Sequence, residues 1–262
     1  MKVKDNNFDN HNTFFDYYNL KSKKIPTIFI HGVGLNNTMW IPQKKFFHDQ
    51  PIIFYDLLNH GKTKKGYKKL NFKDFINQIN FLVKFLKIKK FNLVGFSIGS
   101  LIAQHYAAKF YKKLNKLVLI ASIHKRSKEQ VNKVKKRFKL ASKGSSITKN
   151  SINRWFNKEY LNKNPSVSIY FEKILKSKNN KDFLPAYKLF VEADKYSLNF
   201  ANIKIKTLLI TGENDVGSTV EMSSKIQKKI RGSKLFIIPK AKHMASFEKA
   251  KEVNKEIYKF LI

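Results

Sequence analysis

The sequence predicts an α/β fold: a mostly parallel, twisted sheet flanked by helices, with a helical insertion between two strands. Three observations carry that expectation. Short apolar runs alternate with stretches of helical periodicity, the pattern of strand–helix–strand crossovers. One of those runs leads straight into Gly95-Phe96-Ser97-Ile98-Gly99 and then into a helical pattern. Between about Ile123 and Asn202 the alternation stops, and the chain turns helical, lysine-rich and poor in strands before it resumes at Ile205.

Taken in chain order, Phe14–Tyr18 fits an antiparallel edge strand. Thr27–His31, Ile52–Leu57, Phe91–Gly95, Lys116–Ala121, Thr207–Thr211 and Lys234–Ile238 are short apolar runs of the kind that strands buried on both faces require. Between them, Phe72–Leu86 sets Phe72, Phe75, Ile76, Ile79, Leu82, Val83 and Leu86 on one helical face. Further helices fit Ser100–Phe110, Thr219–Ile230 and Ser246–Leu261. The insertion contains a loop at Lys143-Gly144-Ser145-Ser146, and the basic run Lys133–Lys139 reads as the solvated face of a helix. The resulting division is a first core part over 1–122, a lid over 123–202 and a second core part over 203–262.

A chain of 262 residues with 42% hydrophobic residues, 23 of them Phe, can bury one large core. It contains no cysteine, so no disulfide and no thiolate metal site is available. The polar start Met1–Asn7 lacks the apolar run of a secretory signal. No apolar stretch approaches the roughly 20 residues that span a bilayer. The expectation is a soluble cytoplasmic protein without membrane insertion; its oligomeric state is left open. The net charge of +35 raises nucleic-acid binding. Only four of the 53 basic residues are arginine, however, namely Arg126, Arg137, Arg154 and Arg231. Readers of phosphates and base edges favour arginine's planar fork, and the lysines here are spread along the whole chain. That pattern is compositional and argues against a specific nucleic-acid site, while a positive field favours small anionic substrates.

The chemistry-bearing residues follow strands. Gly95-Phe96-Ser97-Ile98-Gly99 between a strand and a helix is a nucleophile elbow, a sharp turn that strains its serine. After the first parallel strand, Ile30-His31-Gly32-Val33-Gly34 forms a glycine-rich turn opposite. Backbone N–H groups of Val33 and Ile98 are placed to form an oxyanion hole. In Gly212-Glu213-Asn214-Asp215, Asp215 is the candidate acid, Glu213 its runner-up, and capping of the next helix the plainer alternative. His243 lies after the last strand, and the order Ser97, Asp215, His243 is that of a triad on such a sheet.

With these residues in view, the chain resembles the α/β-hydrolase superfamily over nearly its whole length. More narrowly, it resembles the 3-oxoadipate enol-lactonase-like carboxylic-ester hydrolases. The narrower resemblance rests on His31-Gly32-Val33-Gly34 with Trp40, Gly95–Gly99 with Ala103-Gln104, Arg154-Trp155-Phe156, Gly212–Thr219 and His243-Met244-Ala245. Ser100 stands where a second glycine is common, and Asp56-Leu57-Leu58-Asn59-His60-Gly61 matches the usual Asp-x-x-Gly-x-Gly loop only loosely. The resemblance implies two-step acyl transfer on a small ester or lactone, without metal or organic cofactor. In the lid, Arg154 is a candidate for a substrate carboxylate, Trp155 and Phe156 for an apolar pocket, and His124 for a reach into the same cavity. Packing or solvation is the plainer alternative for each of these. Carbon–carbon bond hydrolases, thioesterases and cofactor-free haloperoxidases share the triad pattern and stay open, as does a non-catalytic basic binding module.

Overall fold

The computed structural model describes residues 7–63, 66–144, 146–176 and 182–261; Met1–Asn6 and Ser145 of the expected loop lie outside them. The described residues form a seven-stranded sheet in the order β1-β3-β2-β4-β5-β6-β7. Its strands are β1 (Phe15–Tyr18), β2 (Thr27–Ile30), β3 (Ile52–Tyr55), β4 (Phe91–Phe96), β5 (Leu114–Ile120), β6 (Thr207–Gly212) and β7 (Lys234–Ile238). All neighbouring pairs run parallel except β1 against β3. The edge strand is antiparallel as its sequence suggests, and each expected strand is present within a few residues.

Side chains alternate across the sheet with period two, and this sorts them into two cores. Ile28, Ile30, Ile53, Tyr55, Leu93, Leu117, Leu119 and Leu209 enter one. Phe29, Ile52, Phe54, Val94, Phe96, Val118, Ile120, Leu208 and Ile210 enter the other. Helix α1 (Ile41–Phe46) follows β2 and α9 (Val220–Gln227) follows β6; the first core is closed by α2 (Phe72–Phe85) and α3 (Ile98–Phe110), the second in part by α11 (Ala250–Leu261). The α2 helix opens with a reciprocal cap between Asn71 and Asp74. Where one helix was expected over Ser246–Leu261, the chain makes two, α10 (Ala245–Glu248) and α11, broken at Lys249 by a non-helical ψ of 40°.

The stretch between β5 and β6 carries α4 (Lys128–Ser142), α5 (Thr148–Trp155), α6 (Lys158–Lys163), α7 (Pro165–Lys176) and α8 (Leu184–Val191). Its first turn is fixed by Arg126. That guanidinium is 1% exposed, pairs with Asp194 at 2.6 Å and donates to the carbonyls of Phe190 and Val191. At the other side α5 is strapped to the loop after β7. Met244 N–H donates to the Trp155 carbonyl at 3.0 Å, and Asn157 reaches both Lys240 and Glu248. Among the described residues no helix is long and apolar enough to cross a membrane.

Candidate active site

No residue other than Ser97 separates β4 from α3, so the chain must reverse within one residue. Ser97 does so at φ 55°, ψ −117°, a strained conformation for a residue with a Cβ. Its N–H donates to the Ile120 carbonyl, which prolongs the β4–β5 ladder up to the turn itself. The flanking glycines make the turn possible. A Cβ on Gly95 would stand 2.3 Å from the Gly99 carbonyl oxygen, and one on Gly99 would stand 2.5 Å from that of Ile30. Helix α3 therefore lies directly on the end of β2, with Ile98 at its first position. Ser100 is accommodated by a hydrogen bond between its hydroxyl and that of Ser122.

The loop after β2 is shaped by two buried histidines. His31 Nε2 accepts the Leu57 N–H at 2.9 Å, and His60 Nε2 accepts the Gly34 N–H at 3.0 Å. A ring nitrogen that accepts carries no proton, so each imidazole holds its proton on Nδ1. Those Nδ1–H groups donate to the Gly32 and Leu58 carbonyls at 2.8 Å. The rings meet edge to face with centroids 5.3 Å apart. The pair locks the Val33 turn, with Gly34 at φ 74°, to the loop after β3. Asp56 braces that second loop by accepting the Asn37 and Lys62 N–H groups. The loosely matched motif Asp56–Gly61 is thus a structural support, with a role for His60 that the sequence alone did not disclose.

Asp215 follows β6 and is 4% exposed. Its Oδ1 accepts the N–H groups of Gly217 (2.8 Å) and Ser218 (3.0 Å), and its Oδ2 accepts His243 Nδ1–H at 2.7 Å. Glu213, the runner-up, is exposed and accepts the Lys240 N–H instead. The His243 ring also packs on Phe96, the residue before Ser97, at 4.9 Å between centroids.

Ser97, His243 and Val33 line one cavity of about 530 Å³, roofed by the helices between β5 and β6. Arg154 and Trp155 line it too. Two other sequence candidates are elsewhere. Phe156 is fully buried and packs among Tyr160, Phe171 and Phe247, because the chain turns extended at this residue and carries it away from the cavity. His124 lines a separate pocket with His105 and Phe200, a few residues after the end of β5. Conversely, Arg137 lines the cavity of Ser97 and His243 although it belongs to the Lys133–Lys139 run that reads as solvent-facing. The available signal was that it is the single arginine in a run of lysines. Among the described residues, no group of three or more His, Asp or Glu is placed to hold a metal ion.

Comparison with known proteins bears on this arrangement. The chain is 24% identical over 240 residues to an (E)-2-((N-methylformamido)methylene)succinate hydrolase of Acinetobacter baylyi, covering 90% of each chain. It is 28% identical over 251 residues to a pimeloyl-[acyl-carrier protein] methyl ester esterase of Wigglesworthia glossinidia brevipalpis, covering 85% of this chain and 88% of that one. In fold it is similar to the enol-lactonase from Burkholderia xenovorans LB400, with a TM-score of 0.82 at 19% identity over 95% of this chain and 96% of that one. A family profile described as alpha/beta hydrolase fold matches residues 26–250. The chain therefore belongs to the α/β-hydrolase fold family.

Proposed function

We propose that the protein is a serine hydrolase that cleaves a small carboxylic ester or lactone, with Ser97 as nucleophile, His243 as general base and acid, and Asp215 as its orienting carboxylate. The observation that carries this reading is one cavity lined both by a serine at positive φ and by a histidine whose Nδ1–H is bound by a buried carboxylate. Because Asp215 accepts the hydrogen bond of the Nδ1–H group and keeps the proton on Nδ1, Nε2 is left free to accept one.

In the proposed reaction, His243 Nε2 removes the Ser97 proton as Oγ attacks the carbonyl. The oxyanion is held by the N–H groups of Val33 and Ile98. Asp215 stabilises the imidazolium that forms. His243 then protonates the leaving oxygen, which stays tethered to the acyl group when the substrate is a lactone. Water, activated by the same Nε2, releases the acid and restores Ser97. These proton movements require no metal or cofactor. Residues 123–202 act as the lid that sets specificity. Similarity to a pimeloyl-[acyl-carrier protein] methyl ester esterase and to an (E)-2-((N-methylformamido)methylene)succinate hydrolase, over most of each chain, supports hydrolytic chemistry on an acyl compound.

Two measurements test the reading. A fluorophosphonate probe is expected to label Ser97 rapidly. Ser97→Ala is expected to fold normally and to lose esterase turnover by about four orders of magnitude or more. Turnover retained by purified Ser97→Ala would exclude the assignment.

A further inference from the structure

Three of the chain's four arginines, Arg126, Arg137 and Arg154, line the cavity of Ser97 and His243, in a protein whose positive charge is otherwise lysine. Arg126 is held internally by Asp194 and two carbonyls, with only its Nη1 buried and unpartnered. The other two are not so held. They stand on successive helices, α4 and α5, and among the described residues neither side chain makes an ion pair or a hydrogen bond. The Nε of Arg137 is buried without a partner. No Asp or Glu lies among the described lining residues, whereas Val33, Leu35, Phe96 and Trp155 make much of the wall apolar.

The two guanidinium groups also sense each other. Burial, and then the neighbouring Arg137 charge, push Arg154 down to about 10, which leaves it cationic near neutrality. Two like charges against an apolar wall are costly, and a ligand that brings counter-charge relieves the cost. A guanidinium takes a carboxylate through two parallel N–H donors, which a lysine in the same place cannot match. A single carboxylate would leave one of the two arginines uncompensated. The Met244–Trp155 hydrogen bond holds the end of α5 to the loop that bears His243, so Arg154 is fixed relative to the reacting centre.

We propose that the substrate carries two carboxylates, one held by Arg154 and the other by Arg137, with its scissile carbonyl toward Ser97. The reaction part of this proposal rests on the serine-hydrolase reading; the dianion site rests on the two arginines alone. Arg137 is then the residue that separates dianions from monoanions.

Binding tests this without requiring turnover. Ser97→Ala protein, which cannot turn a methyl ester over during the titration, is titrated calorimetrically at fixed ionic strength with succinate, glutarate and adipate, their monomethyl esters, and methyl phosphate, and the arginine variants are made in the same background. The best dicarboxylate is expected to bind about tenfold or more tightly than its own monoester. Arg137→Gln and Arg154→Gln should each reduce it to the monoester's level, with Arg137→Lys recovering binding only in part. Arg231→Gln, an exposed control, should leave Kd within about twofold. The same dicarboxylate should slow fluorophosphonate labelling of Ser97 in the wild-type protein. Equal affinity for diacid and monoester, no binding of any diacid, or methyl phosphate binding as tightly as the best diacid would overturn the proposal. So would a loss in Arg231→Gln as large as in Arg137→Gln, which would indicate a diffuse field. Failure of the hydrolase reading looks different: Ser97 stays unlabelled while the diacid still binds through both arginines.

Discussion

Replacing Asp215 by Asn changes one atom, and the surroundings dictate how the new amide must sit. Gly217 and Ser218 aim two N–H groups at Oδ1, at 2.8 and 3.0 Å, so the amide oxygen belongs there. The amide nitrogen then faces His243 Nδ1 and donates to it, which moves the imidazole proton to Nε2. That tautomer has no lone pair for the Ser97 proton. Flipping the amide would restore the productive tautomer but leave two buried N–H groups facing an NH₂, at a cost of about 2–6 kcal/mol. The flipped form is then populated at roughly 3 × 10⁻² to 4 × 10⁻⁵. The neutral amide also stabilises the imidazolium less than a carboxylate does. Asp215→Asn is therefore expected to lower kcat/KM on a p-nitrophenyl ester by about 10³–10⁴-fold, of the order found when a serine-protease triad is altered in the same way. The companion variant Glu213→Gln, which alters an exposed side chain, is expected to stay within about twofold. A loss below about 30-fold in Asp215→Asn, or an equal loss in Glu213→Gln, would refute the argument that this carboxylate fixes the tautomer.

Two further outcomes follow from packing and titration. Gly99→Ala drives a Cβ to within 2.5 and 2.7 Å of the Ile30 and His31 carbonyl oxygens, and neither backbone can swing aside. The variant should lose about 3 kcal/mol, roughly 6–12 °C in Tm by thermal denaturation, and a loss under about 2 °C would contradict the contact. His105 stacks on Phe72 at 3.9 Å, and burial holds it down at about 4 against an ordinary 6.5. Below pH 6.5 the unfolded chain takes up a proton that the native state refuses, so this contribution is complete above 6.5 and is lost as pH falls toward 4. Urea titrations at pH 7 and 4.5 should show His105→Gln losing about 2 kcal/mol less on acidification than the parent, whereas parallel losses would count against the buried neutral ring.

Strands and elbow were legible because their signals are local. Apolar runs with period-two packing mark the strands, and Gly95 and Gly99 are demanded by contacts within a few residues or with the adjacent strand. The pairing of Asp215 with His243 was legible from order along the sheet, since loops at the carboxyl ends of parallel strands share one rim. The segment between β5 and β6 was not legible in the same way. Its helices face the cavity, one another or solvent according to how they pack, and that is set by long-range contacts such as Arg126 with Asp194. Hence Phe156, adjacent to the cavity-lining Trp155, is core, and Arg137, amid lysines, faces inward. The histidines at 31 and 60 were hidden for a related reason. Their function is mutual bracing of two loops that are distant in sequence and adjacent only in the sheet.

The position of the helical segment has a consequence for how such a protein diversifies. Its two ends emerge from β5 and β6, which are paired in register from Leu117 with Thr207 to Ile120 with Ile210. The intervening residues are a cassette whose entry and exit points are clamped side by side by the sheet. Substitutions, lengthening or exchange there change the helices over the cavity, while Ser97, Asp215 and His243 remain on the loops after β4, β6 and β7, which the cassette does not build.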